Sequence, residues 1–187
     1  MSHSVFAQEQ KVRYNIGVLG MNVGELSVTQ SGEKGNLDIH AVTDVNVKII
    51  VPYRVKFVQN STYRQGHLEN FHVQTLKNGK INSDSRLERN GDSYMLINDG
   101  DTTMVTQDIT YSGSMLYFNE PVDVPEVYKE RNGEVQQIKS LGNHIYTIKD
   151  DTGKKAHKYY YEDGILKVAE LKHPLATIYL KRIISSK

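Results

Sequence analysis

Residues 11–18 read KVRYNIGV, and this stretch decides the fold. Val12, Tyr14, Ile16 and Val18 alternate with Lys11, Arg13, Asn15 and Gly17. A period of two marks a strand with one face in a core and the other in water. The same alternation returns at Leu26 and Val28, and again at Leu37, Ile39 and Ala41. It continues at Val55 and Phe57, Tyr94 and Leu96, and Tyr146 and Ile148. The last three candidate strands are residues 156–162, 165–173 and 176–184. A slip of one residue in pairing would turn each apolar set toward water, so the alternation specifies one buried face.

The turn residues agree with this reading. Gly32-Glu33-Lys34-Gly35, Lys77-Asn78-Gly79-Lys80, Asn90-Gly91, Asp99-Gly100, Asn132-Gly133, Asp151-Thr152-Gly153 and Asp163-Gly164 fall between candidate strands. Asn-Gly and Asp-Gly supply the positive φ angles of tight hairpins. No amphipathic helix separates the strands, so βαβ units are excluded. The expected fold is all-β: an antiparallel meander forming a barrel or half-barrel of about ten to eleven strands with one short helix.

Two segments interrupt the pattern. Residues 44–51 (DVNVKIIV) read either as an irregular or short helical crossover with Asp44 as its N-cap, or as a continued strand. The crossover is the preferred reading, because Pro52 ends the segment. In residues 111–118 (YSGSMLYF), Tyr111, Met115 and Phe118 fall at helical spacing before Pro121. One or two helical turns plugging one end of a barrel are expected there.

The 187 residues carry 23 Lys+Arg against 22 Asp+Glu, with no Cys and no Trp. A net charge of +1 does not suit a dedicated nucleic-acid binder. The absence of Cys removes disulfides, thiolate zinc sites and a cysteine nucleophile. No apolar run approaches the roughly 20 residues that a membrane-spanning helix needs. With no repeat, low-complexity tract or linker, residues 11–187 form one domain. Residues 1–10 (MSHSVFAQEQ) form a disordered start or the remnant of a secretion signal, with Val5-Phe6-Ala7 before a cut and Gln8 after it.

Motifs with chemical content are sparse. Gly17, Gly20 and Gly24 lack the spacing of a phosphate-binding loop and precede a strand, so a kink or bulge with close backbone packing is expected. Asn98-Asp99-Gly100-Asp101 reads as a hairpin turn, because Thr110 falls where a calcium loop needs a bidentate acid. Ser112-Gly113-Ser114 lacks the glycines of a nucleophile elbow, and Ser112 reads as a helix N-cap. None of the seven histidines pairs at the spacing of a helical metal site. His67 and His72, five apart, would lie on opposite faces of a straight strand. Residues 149–161 (KDDTGKKAHKYYY) mix bases with aromatics but read as a hairpin with tyrosines on both faces. Neither a cofactor nor a metal is expected.

At the residue level the chain resembles an uncharacterised family of exported bacterial proteins, known from Bacteroidota and classed as a domain of unknown function. The resemblance lies in Gly17 to Gly24, in YRQGHL at 63–68 followed by LKNGK at 76–80, in LYFNEP at 116–121 and in YYYEDGIL at 159–166. It is similar also to a broader group of periplasmic β-barrel domains and, more distantly, to half-barrel lipoprotein carriers. The resemblance implies export, to the periplasm or outside the cell, and a mainly antiparallel barrel. It implies no catalytic residues.

The functional expectation is an exported, non-enzymatic β-barrel domain that binds a small apolar or lipid-like ligand. Tyr111, Met115, Leu116 and Phe118 are the candidate lining residues, on a segment that closes one end of the barrel. An envelope protein is the other expected kind of partner. Two further readings stand beside this one: a structural or protein-interaction module of the cell envelope with a filled core, and a hydrolase whose groups meet only in three dimensions.

Overall fold

The computed structural model describes residues 9–33, 35–47, 53–149 and 152–184. The cut site at Ala7 lies outside them, as do residues 48–52. Among the described residues, a single sheet of 14 antiparallel strands holds the chain, with one 3₁₀ turn at Gly113–Tyr117. The all-β antiparallel class is as expected.

The chain enters in the middle of the sheet. β1 (Gln10–Val18) starts a walk outward through β2 (Met21–Glu33), β3 (Asn36–Val47), β4 (Tyr53–Arg64) and β5 (His67–Lys77). The walk ends with β6 (Lys80–Asn90), β7 (Ser93–Asn98) and β8 (Asp101–Val105), the first edge. Residues 106–125 then cross to the other edge, β9 (Glu126–Lys129). From there β10 (Glu134–Gly142), β11 (Ile145–Lys149), β12 (Ala156–Glu162), β13 (Ile165–Lys172) and β14 (Thr177–Arg182) walk back to β1. Pairing of β14 with β1, for example Leu180 opposite Ile16, joins the two halves of the chain.

Fourteen strands exceed the ten or eleven expected, and two of the additional ones have a plain physical reason. β8 and β10 contain no buried residue, so they lack the apolar alternation by which strands are recognised. Their backbone pairing with β7, β9 and β11 makes them strands all the same. The helical reading from Asp44 also needs correction. Asp44, Val45 and Asn46 continue β3, opposite Lys56, Val55 and Arg54 of β4. Asp44 is a strand residue salt-bridged to Arg54, and the ladder with β4 outweighs its capping propensity.

The inward face is the predicted one. Tyr14 and Ile16 of β1 are buried, as are Leu26, Val28, Ile39, Ala41 and Leu180. Val12, Val18 and Ile178 pack half-buried against them. Burying a side chain such as Leu26 stabilises by about 1.5–3 kcal/mol, and the Tyr14 hydroxyl keeps a partner by donating to the Leu166 carbonyl at 3.0 Å.

Bulges adjust the strands. β5 pairs Thr62 with Asn70 but Tyr63 with Leu68, which leaves Glu69 as the extra residue. The shift brings both Leu68 and Phe71 into the core. It therefore turns both His67 and His72 away from the core, where a straight strand would have split them. Gly24 lies where β2 and β3 approach so closely that a Cβ would stand 2.2 Å from the Asp44 carbonyl oxygen. This is the close backbone packing read from the glycines, and the β1–β2 register shifts nearby, between Ile16 and Gly17.

Candidate functional site

The sheet curls so that β4 and β5 face β11 to β14 across an interior that the crossover enters. Along the way, the Leu68 N–H donates to the Ile109 carbonyl and the Tyr128 N–H to the Tyr111 carbonyl. The crossover is thus pinned to β5 on one side and to β9 on the other. Its 3₁₀ turn sits against the sheet interior, where the Tyr161 hydroxyl donates to the Leu116 carbonyl at 2.9 Å.

The chemistry gathers where β9 ends. Lys129 is the last residue of the strand, and the next side chain, Glu130, turns inward to 4% exposure. Its Oε1 accepts from Gln59 Nε2 on β4 at 2.9 Å and from the Ser114 N–H at 2.9 Å. The Ser112 hydroxyl donates to the same oxygen. Ser112 Oγ also lies 3.0 Å from Ser114 Oγ and 2.5 Å from the Tyr63 hydroxyl. The Ser85 hydroxyl of β6 donates to the Glu130 carbonyl at 2.9 Å. One glutamate thereby ties β4, β6 and the crossover to the end of β9.

Burial pushes the Glu130 carboxyl above the ordinary glutamate range, against the hydrogen bonds from Ser112 and Ser114, which pull it down. Glu130 makes no ion pair among the described residues. The Tyr63 and Tyr117 phenols are raised as well, first by their own burial and second by the nearby Glu130 charge.

Beside Glu130 the interior holds a cavity of about 180 Å³. Phe57 and Val73 wall it from one half of the sheet, and Ile148, Leu166 and Leu180 from the other. Leu116, Tyr117 and Gly113 of the crossover line it too, and Lys129, Glu130 and Arg131 at the end of β9 give it a charged border.

Of the four residues expected to line a ligand, Leu116 borders this cavity. Phe118 is buried in the core and Met115 packs half-buried against it. Tyr111 borders a separate cavity of about 140 Å³ with Val124, Pro125 and Tyr128. Ser112 stands at the N-cap position, but its hydroxyl makes no capping hydrogen bond. The Ser114 N–H that such a cap would satisfy donates instead to Glu130 Oε1 at 2.9 Å, the stronger acceptor.

Glu130 and Gln59 escaped sequence reasoning. Glu130 belongs to a Lys-Glu-Arg run before Asn132-Gly133, which reads as a solvated turn. Gln59 left a faint signal. It lies between Phe57 and Ser61 on the inward row of β4, where a polar residue needs a buried partner.

The serines with Glu130 and Tyr63 hold nucleophile-type groups, but Ser112 and Ser114 are 0% exposed, and their hydroxyls bond to Tyr63, Glu130 and each other rather than to a described histidine. Four of the described histidines sit elsewhere, each with its own partner. His67 meets Asp108, His72 meets Asp84, His144 meets Glu120 and His40 meets Asn60. Among the described residues no group of three His, Asp or Glu side chains could hold a metal ion. No described helix is long and apolar enough to cross a membrane.

The sequence profile of a family described as a domain of unknown function, DUF6134, matches residues 14–183. The chain belongs to that family. The DUF6134 match runs from Tyr14 in β1 to just past the end of β14, so it takes in both halves of the sheet, the crossover and Glu130. Comparison with curated proteins yields no match. Among solved structures, the DUF6134 chain is similar to the crystal structure of a beta-barrel-like protein of domain of unknown function DUF1849 from Brucella abortus. The TM-score is 0.59 at 7% identity, over 95% of this chain and 96% of that one. A likeness at that identity speaks for the fold alone.

Proposed function

We propose that this DUF6134 protein is an exported, non-enzymatic binding domain that holds one small apolar molecule between the halves of its sheet. The observation that carries the reading is the cavity of about 180 Å³, whose wall is largely apolar through Phe57, Val73, Leu116, Ile148, Leu166 and Leu180, with Lys129, Glu130 and Arg131 at its border. Ligand pockets usually measure about 300–1,000 Å³, and a dry cavity of about 150 Å³ accepts a molecule the size of benzene. The occupant is therefore small, a single ring or a short chain rather than a whole lipid. The test is native mass spectrometry of the protein purified from its host, with thermal shifts across small aromatics and short-chain alkanes. A co-purifying small molecule and a shift for at least one compound support the reading, and neither would overturn it.

Export rests on Val5-Phe6-Ala7 ahead of Gln8. N-terminal sequencing of protein from the native host tests it. A mature chain beginning at Gln8 supports export, and one retaining His3 and Ser4 removes the argument.

A second reading, an interaction module of the envelope, is favoured by a different feature. Leu19, Ile81 and Leu175 are 68%, 62% and 86% exposed. The alternation of strand directions places all three at the same end of the sheet. Replacing the three by serine should abolish association with an envelope partner under this reading and leave small-molecule binding intact.

A further inference from the structure

The charged border of the cavity is positive on balance. Val127, Lys129 and Arg131 all line it, each two residues on from the last, so the row that is apolar within β9 leaves the strand as two cations. Val127 is buried, Lys129 half-buried and Arg131 exposed, so the cavity meets solvent at Arg131. The strand directions agree, because the ends of β9, β11 and β13 and the start of β4 lie at one end of the sheet. Those stretches supply Ile148, Leu171 and Phe57 to the wall. Glu130 stands between the two cations, but its carboxyl is already engaged from the protein side. It accepts from Gln59, Ser112, Ser114 and its own N–H. Burial also pushes it toward its neutral form. Among the described residues no other acid lines the cavity. Lys129 is engaged within the chain as well, so the Arg131 guanidinium leads at the border.

We propose that the cavity takes a small apolar carboxylate, one ring or a short chain ending in an acid group, with its tail among Phe57, Val73, Ile148 and Leu180 and its head at Arg131 and Lys129. The inference rests on the cavity reading above and adds the charged end of the ligand. A guanidinium presents parallel N–H donors that match the two oxygens of a carboxylate, and Lys129 adds a point charge beside it. The head stays at the exposed border, so the pair escapes most of the desolvation that a buried ion pair bears. Glu130 draws on Gln59, Ser112 and Ser114, so the two acids use different donors. An ammonium head would meet two like charges. A hydroxyl head would bond without the help of charge, and a ligand with no head would use the apolar wall alone.

The experiment titrates the full chain with ethylbenzene, 2-phenylethanol, 2-phenylethylamine and phenylacetate by calorimetry, then repeats it with Arg131→Gln and with Lys129→Gln. The wild-type protein should bind phenylacetate about fivefold or more tighter than 2-phenylethanol, the scale of one charge pair at a partly exposed border. Arg131→Gln should remove most of that preference and Lys129→Gln a smaller part. Circular dichroism and the ethylbenzene affinity report whether each variant keeps its fold and cavity. A measurement on wild-type protein alone covers a variant that does not fold. Raising the salt from about 0.02 M to about 0.5 M should weaken phenylacetate binding and leave ethylbenzene binding in place. Equal binding of phenylacetate, 2-phenylethanol and ethylbenzene to wild-type protein would overturn the carboxylate class and leave the cavity reading standing. Tightest binding of 2-phenylethylamine would do the same. A preference for phenylacetate that survives both substitutions, or does not change with salt, would overturn the placement of the head at Arg131 and Lys129. Binding of none of the four would overturn both readings.

Discussion

Gln59 Nε2 donates to Glu130 Oε1 at 2.9 Å, and both side chains are buried. The two residues are 71 apart in the chain. One belongs to a strand near the middle of the sheet and the other follows the strand at its far edge. The contact therefore reaches across the interior and does for the open sheet what a closing ladder does for a barrel.

Removing that tie should be costly. Glu130→Ala leaves Gln59, Ser112 and Ser114 without their acceptor, and each buried unsatisfied group costs about 1–3 kcal/mol. Denaturant unfolding should show a loss of about 3 kcal/mol or more for Glu130→Ala and a smaller loss for Gln59→Ala. The double variant should fall short of the sum by at least about 0.5 kcal/mol, since the two groups are in contact. Strict additivity would mean that the contact carries no energy.

Stability should depend on pH through the same residue. Burial raises the folded-state value of Glu130 above the ordinary 4.5. A raised group contributes full stability below its unfolded value and loses it as pH rises through the folded value. The stability of wild-type protein relative to Glu130→Gln should thus fall as pH rises above 4.5. Tyr63 and Tyr117 are raised above ordinary phenols and stay neutral through that range. Urea midpoints of both proteins between about pH 4 and pH 8 measure the difference. A gap that does not change with pH would mean that Glu130 titrates normally.

The seam between β1 and β14 gives a packing test. Leu180, opposite Ile16, is 7% exposed, while Ile178 is half-buried. Leu180→Ala should cost about 2–5 kcal/mol, and Ile178→Ala clearly less. Unfolding of the two variants side by side decides it, and the reverse order would place the wrong side chain inward.

Gly24 offers a backbone test. A Cβ there would meet the Asp44 carbonyl oxygen at 2.2 Å, an atom of a paired strand that has no freedom to move aside. Gly24→Ala should destabilise by about 1–3 kcal/mol or more, in the manner of an overpacked core. Gly79, whose Cβ would meet nothing within 4 Å, serves as the control for a purely conformational cost.

What could be read from residues alone was what depends on neighbours in the chain. Period-two alternation and Asn-Gly or Asp-Gly turns are local, so the all-β antiparallel class, many of the strands and the inward rows through Tyr14, Leu26 and Ile39 were legible. The same locality explains the misses. β8 and β10 are held by pairing with neighbours and bury no side chain of their own, so no pattern announced them. Asp44 favours a cap in isolation and a strand once Lys56 lies opposite. The bulge at Glu69 decides the direction of His67 and His72 without leaving a mark in composition.

The candidate site lies wholly on the other side of that line. Sequence placed an apolar segment at residues 111–118 and suggested that it enters the barrel, because Met115, Leu116 and Phe118 need burial somewhere. It said nothing of Glu130, whose run of charges looks like a turn in water. Only the curl of the sheet brings residues 59, 63, 85, 112, 114 and 130 within hydrogen-bond reach of one another. A buried carboxyl is a property of the place where strands from both halves of the chain converge. No stretch of the sequence contains that place, because its walls are made by residues that meet only after every hairpin has formed.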